Sequence, residues 1–187
     1  MVSEPAVKEQ VIMPEGVTPS LERGLLSLKG SQGSVSREFI YPKIDVAIDK
    51  TEDGLTAVFI SSPLYTLREK KIIRTFRAHI RNMVKGVTEG HEYKLKICSG
   101  HFPMNVTVKG QTIEVKNFFG ESVPRTYSFS DDVKVAVNGE SVVVTGIEKE
   151  LVAQTAASIE KLTRRVGFDR KVFQDGIYIV EKDGKAI

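Results

Sequence analysis

Between Arg164 and Lys182 the sequence RRVGFDRKVFQDGIYIVEK interleaves cations with flat rings. Arg164, Arg165, Arg170 and Lys171 carry the charge, and Phe168, Phe173 and Tyr178 carry the rings. Cations neutralise phosphates and rings stack on unpaired bases, so the mixture suits RNA. Asp175-Gly176 is a turn signal, after which Ile177, Ile179 and Val180 can return to a core. The plainer alternative is a core strand edged by solvated charge, because Asp169, Asp175, Glu181 and Asp183 lie close by.

A second set of cations has helical spacing. Lys70, Arg74, Arg77, Arg81 and Lys85 recur at i, i+4, i+7, i+11 and i+15, which places them in one stripe. Glu69 is the only acid between Arg68 and Lys85, so the stripe lacks acid partners at helical spacing. A polyanion would relieve its self-repulsion, while a merely solvated helix face is the competing reading.

Catalytic constellations are missing. No Gly-rich loop carries a Walker lysine, and neither G-x-S-x-G nor H-E-x-x-H occurs. His91, Cys98 and His101 offer three metal-ligating groups with no fourth, on a strand whose alternate side chains diverge. Cys98 in its apolar run reads as a core thiol. The expectation is a binding protein with no catalytic residue, metal or cofactor.

The elements that must position these residues follow from periodicity. A chain of 187 residues with net charge +3 holds one or two domains and tolerates an anionic partner without demanding one. A lone cysteine forbids an internal disulfide and suits a reducing cytosol. No apolar signal core opens the chain and no window has the length of a membrane span, so a soluble cytoplasmic protein is expected. Residues 1–10 read as a mobile lead. Short apolar runs broken by turn signals then read as strands, and Pro19 confines the strand containing it to an edge. Ile72, Ile73, Phe76, Ile80, Met83, Val84 and Val87 mark one face of a helix that Gly86 should stop. Strands resume after Gly90, with Asn138-Gly139 the strongest hairpin signal. A second helix is expected from about Lys149 to Arg165, opened by a capping box of Thr145 and Glu148. Its buried stripe is Val152, Ala156, Ile159 and Leu162.

The two halves repeat. Val17-Thr18 matches Val106-Thr107, Gly33 before SVSREF matches Gly120 before ESVPRTYSF, and Val46-Ala47-Ile48 matches Val135-Ala136-Val137. LTAVFI matches SVVVTG, and each half closes with a helix. The expected fold is α+β: two similar domains from an internal duplication, each an antiparallel β-sheet with one packed helix. The repeats span 11–87 and 88–187, the second carrying the basic and aromatic tail.

Segments PEGV, SREF, HIRNMVKGVTEG, SGHFPMNV, NFFGE, VTGIEKELVAQTAASIE and DRKVFQDGIYIVEK together resemble the L-six family of large-subunit ribosomal proteins. The likeness is to its archaeal and eukaryotic branch and runs from Val11 to Lys182. It implies a non-enzymatic constituent of the large subunit that needs no cofactor. It also implies binding to large-subunit rRNA near the stalk base, close to where translational GTPases dock, beside neighbouring ribosomal proteins. The C-terminal domain of such proteins makes most of the rRNA contact. Carried across by position, the contacts are Arg164, Arg170, Lys171 and Phe173, followed by Lys182 and Lys185, with Arg165 and Tyr178 joining from the same stretch. The first-helix stripe, read from its spacing alone, is a candidate second contact to RNA or protein, with a solvated face as the alternative. Phe168 stands where relatives commonly carry a basic residue, and Pro19 interrupts a strand that relatives usually continue. A protein-interaction module using exposed strand edges, and an RNA-processing enzyme, remain as rival readings; salt dependence separates the first, and the second lacks an acid/base pair.

Overall fold

The computed structural model describes residues 7–51, 54–64, 66–169 and 171–187. The chain divides into two units, one through Gly90 and one from His91. Among the described residues every strand pairing in both is antiparallel.

The first unit runs β1 (Val7–Ile12), β2 (Thr18–Glu22), β3 (Leu25–Lys29), β4 (Ser34–Glu38), β5 (Asp45–Lys50), β6 (Thr56–Ser62) and α1 (Leu67–Thr88). Its strands form two sheets, β1-β6-β5 and β2-β3-β4. Pro19 sits in β2, an edge strand, as a residue without an N–H requires. The expected mobile lead over 1–10 is corrected from Val7 onward. Val7–Ile12 pairs with β6 along its whole length, and Val11 is buried under the helix side of the sheet. Alternation in VKEQVI is the signal for this strand.

α1 buries Ile73, Ile80, Met83 and Val87, the face that the apolar spacing marks. Full burial of such aliphatic side chains is worth about 1.5–3 kcal/mol each. The helix does not stop at Gly86, which is buried inside it. It ends two residues later, where Gly90 takes φ +82° and donates its N–H to the Lys85 carbonyl. The β3–β4 loop also caps this end: Ser31 Oγ donates to the Thr88 carbonyl at 3.0 Å and Gln32 N to the Val87 carbonyl at 3.0 Å.

The second unit repeats the order: β7 (His91–Cys98), β8 (Asn105–Lys109), β9 (Thr112–Lys116), β10 (Arg125–Ser128), β11 (Val133–Asn138), β12 (Ser141–Gly146) and α2 (Lys149–Leu162). It then adds β13 (Gly176–Lys182) and β14 (Lys185–Ala186). The sheets are β8-β9-β10 and β11-β12-β7-β13-β14. One core takes Leu95, Ile113, Val115, Val142, Ile159 and Ile177 from both sheets and α2. The order β11-β12-β7 thus matches β5-β6-β1, and β13 occupies a position beside β7 that has no counterpart beside β1 among the described residues.

Other local expectations change. α2 ends at Leu162, so Arg164 and Arg165 lie beyond the helix. Its N-cap is Glu148 with no side-chain capping bond, because Thr145 is committed to β12 and cannot close a capping box. Val180 does not return to the core: a bulge between Ile179 and Glu181 shifts the register against β7 and leaves it 39% exposed.

Candidate nucleic-acid interface

The segment joining α2 to β13 is held at both ends. Thr163 is buried; its hydroxyl donates to the Glu160 carbonyl at 3.2 Å and accepts the Ile177 N–H at 2.9 Å. Glu160 Oε1 accepts the Ile179 N–H at 3.3 Å, so the helix binds the start of β13 through side chains. Arg125 on β10 donates to the Leu162 carbonyl at 2.8 Å and the Arg164 carbonyl at 3.3 Å, satisfying groups that the helix end leaves unpaired. The same guanidinium forks onto Glu121 at 2.8 and 2.7 Å and lies 4.4 Å above the Phe118 ring.

Asp175 is buried rather than exposed in a turn. Its carboxylate accepts the Gly100 N–H, the His101 N–H at 3.1 Å and His101 Nδ1 at 3.1 Å. These bonds fasten the loop after β7 beneath the tail. His101 in turn lies 5.2 Å from the Phe173 ring.

Around this frame the rings gather. Phe168 and Phe173 meet edge to face at 5.0 Å, and Phe119 lies 6.0 and 5.9 Å from them. Arg165 stands 4.1 Å over Phe168 and 5.0 Å over Phe119. A hollow of about 270 Å³ opens among Phe119, Glu160, Arg164, Phe168, Phe173 and Tyr178. Arg164 and Lys171 are exposed, and Arg165 and Phe173 are half-buried. Phe168 is 40% exposed. Asp169 Oδ1 accepts the Lys171 N–H at 2.9 Å.

The structure therefore assembles Arg164, Arg165, Phe173 and Tyr178 around one hollow, with Lys171 in the loop beside it. Arg170 lies outside the described residues. Lys182 and Lys185 are exposed but pair with each other at the β13–β14 hairpin, the opposite end of the strand from Gly176. They do not join the hollow. Residue spacing missed Phe119, Glu160, Arg125 and Glu121. The available signal was Phe118-Phe119-Gly120, whose aromatic pair turns sharply because Asn117 and Phe119 are left-handed at φ +58° and +49°.

The first-helix stripe is partly compensated, contrary to its local reading. Arg77 binds Glu9 of β1 at 2.5 Å, an acid remote in sequence. Arg74 and Arg81 are exposed, and Lys70 and Lys85 are half-buried.

Among the described residues no group of three or more His, Cys, Asp and Glu could hold a metal, and no helix is long and apolar enough to cross a membrane. Fold and site together define a class: duplicated α+β proteins whose second unit presents a cationic and aromatic surface. Within that class the Ribosomal protein L6 family matches residues 13–90 and 102–176, one repeat in each unit. The large ribosomal subunit protein uL6 of Methanococcus vannielii is 41% identical over 181 residues, covering 97% of both chains. That of Methanobrevibacter smithii is 40% identical over 183 residues, covering 98% of this chain and all of its own. The chain belongs to the ribosomal protein L6 family. It is accordingly a structural, non-enzymatic constituent of the large ribosomal subunit, in the ribosomes of the cytoplasm.

Proposed function

We propose that the second unit anchors the chain to large-subunit rRNA through the hollow between α2 and β13, near the stalk base where translational GTPases dock. The observation that carries this is the convergence of Arg164, Arg165, Phe168 and Phe173, from a segment fastened at Thr163 and Asp175, on one concave surface. Arg164 and Lys171 meet phosphates, releasing counterions. Phe168 and the Arg165 guanidinium offer flat faces to an unpaired base. That fastening matters, since a stacking surface selects a geometry only when its own rings cannot move. Neighbouring ribosomal proteins of the stalk base are the further partners.

The test is binding to stalk-base rRNA across a salt series. Arg164→Glu with Lys171→Glu should lower affinity and reduce the steepness of log K against log salt by about 1–2. Phe168→Ala should cost about 1–3 kcal/mol with the slope unchanged. Wild-type slope and affinity in the charge-reversed, folded variant would remove the hollow from the RNA contact. Equal affinity for unrelated rRNA segments would remove the stalk-base placement.

A further inference from the structure

Among the described residues β13 has no counterpart in the first unit, and the position it would take there is lined for a particular occupant. In the second unit β7 is flanked by β12 on one side and β13 on the other. β13 enters antiparallel, with Ile177 in the core against α2 and Ile179 packed on it. Its counterpart neighbour in the first unit, β1, pairs with β6 alone among the described residues.

The register identifies which groups of β1 face outward. Met13 N donates to the Thr56 carbonyl, and Ile12 stands opposite Ala57. In an antiparallel ladder hydrogen-bonded pairs alternate, so Val7, Glu9 and Val11 turn their backbone groups to β6. Lys8, Gln10 and Ile12 turn theirs to the outer edge. An edge strand of this kind is a template for another strand.

The helix beside that edge differs between the units. Over β13, α2 contributes Ala157 and the Glu160 carboxylate. Beside β1, α1 contributes Arg74, Arg77 and Arg81 to shallow grooves shared with Glu9, Gln10 and Ile12. Glu9 already answers Arg77. An incoming strand would project alternate side chains toward this helix. Apolar ones fit α2; carboxylates fit the arginines of α1. A phosphodiester chain satisfies the arginines but not the alternating donors and acceptors of the edge. We propose that the outer edge of β1, beside Arg74 and Arg81, receives an extended, acid-rich segment of another protein as an added antiparallel strand. This stands independently of the rRNA contact in the second unit.

The test uses assembled large subunits. With Gln10→p-benzoylphenylalanine in place, irradiation should give a protease-sensitive, ribonuclease-resistant adduct that maps to an acid-rich segment of a different protein. Amide exchange at Lys8, Gln10 and Ile12 should be at least tenfold slower in subunits than in the isolated chain. Arg74→Glu with Arg81→Glu, exposed positions whose reversal leaves the core intact, should lose the adduct while the chain stays in the subunit. An adduct to rRNA, to a second copy, or to a segment without acids overturns the proposal. So does fast exchange at those amides in subunits where the chain is bound.

Discussion

Arg125 and Glu121 show how much one ion pair can position. Their fork holds the helix end, the Phe118 face and the carbonyl of Arg164 in register. Hydrogen bonding from Arg125, with a further contribution from the Arg165 charge, keeps the Glu121 carboxyl below the ordinary glutamate range although burial opposes it. A depressed folded pKa stabilises the native state above the unfolded pKa, and that contribution is lost as pH falls through the folded value. Glu121→Gln should therefore weaken the protein at neutral pH and flatten its acid-unfolding curve below the ordinary glutamate range, as urea titrations at successive pH values would show. Asp175 matters through its hydrogen bonds, which are made in a buried site. Asp175→Asn replaces a carboxylate that only accepts by an amide with one acceptor, and should cost about 1–3 kcal/mol in urea unfolding. At this scale the cations and rings of the tail were legible, since charge and aromaticity are written in residue type. Phe119 was not: its ring joins the cluster because two residues adopt left-handed backbone, which no side-chain pattern announces.

The same contrast holds among elements. α1 was readable because seven apolar positions repeat at helical spacing, yet its end was misplaced. Gly86 is buried against neighbours and tolerated within the helix, while the terminating geometry belongs to Gly90. Gly30 near the same end is constrained by space rather than angle. A Cβ there would sit 2.6 Å from the Val87 carbonyl oxygen and 3.0 Å from Val87 Cβ. Gly30→Ala should destabilise by about 1–3 kcal/mol, measurable as a lower denaturation midpoint, and should loosen the capping contacts of Ser31 and Gln32. The tail cannot be tested by deletion. Removing it takes Ile177 from the core and strips β7 of a partner strand, so point variants of exposed residues are the interpretable probes.

For the molecule as a whole, the duplication was legible because turn glycines and strand patterns recur in the same order. The β11-β12-β7 and β5-β6-β1 arrangements show the shared plan. The strand count per sheet was not legible, because alternation marks a buried face without naming its neighbour. Nor was Glu9 as the partner of Arg77, since that pairing spans sequence distance and exists only after folding.

The addition of β13 beside β7 also sets a timetable. β7 opens the second unit, while the strand that flanks it on one side is synthesised only after α2. The first unit closes on elements complete by Thr88, but the second must hold β7 half-paired until Lys182 has emerged. Stalled nascent chains whose exposed portion reaches Gly90 should already protect the first unit from protease. Chains exposed only to Arg165 should leave the second unit cleavable, and release of the remaining residues should make it resistant in one step.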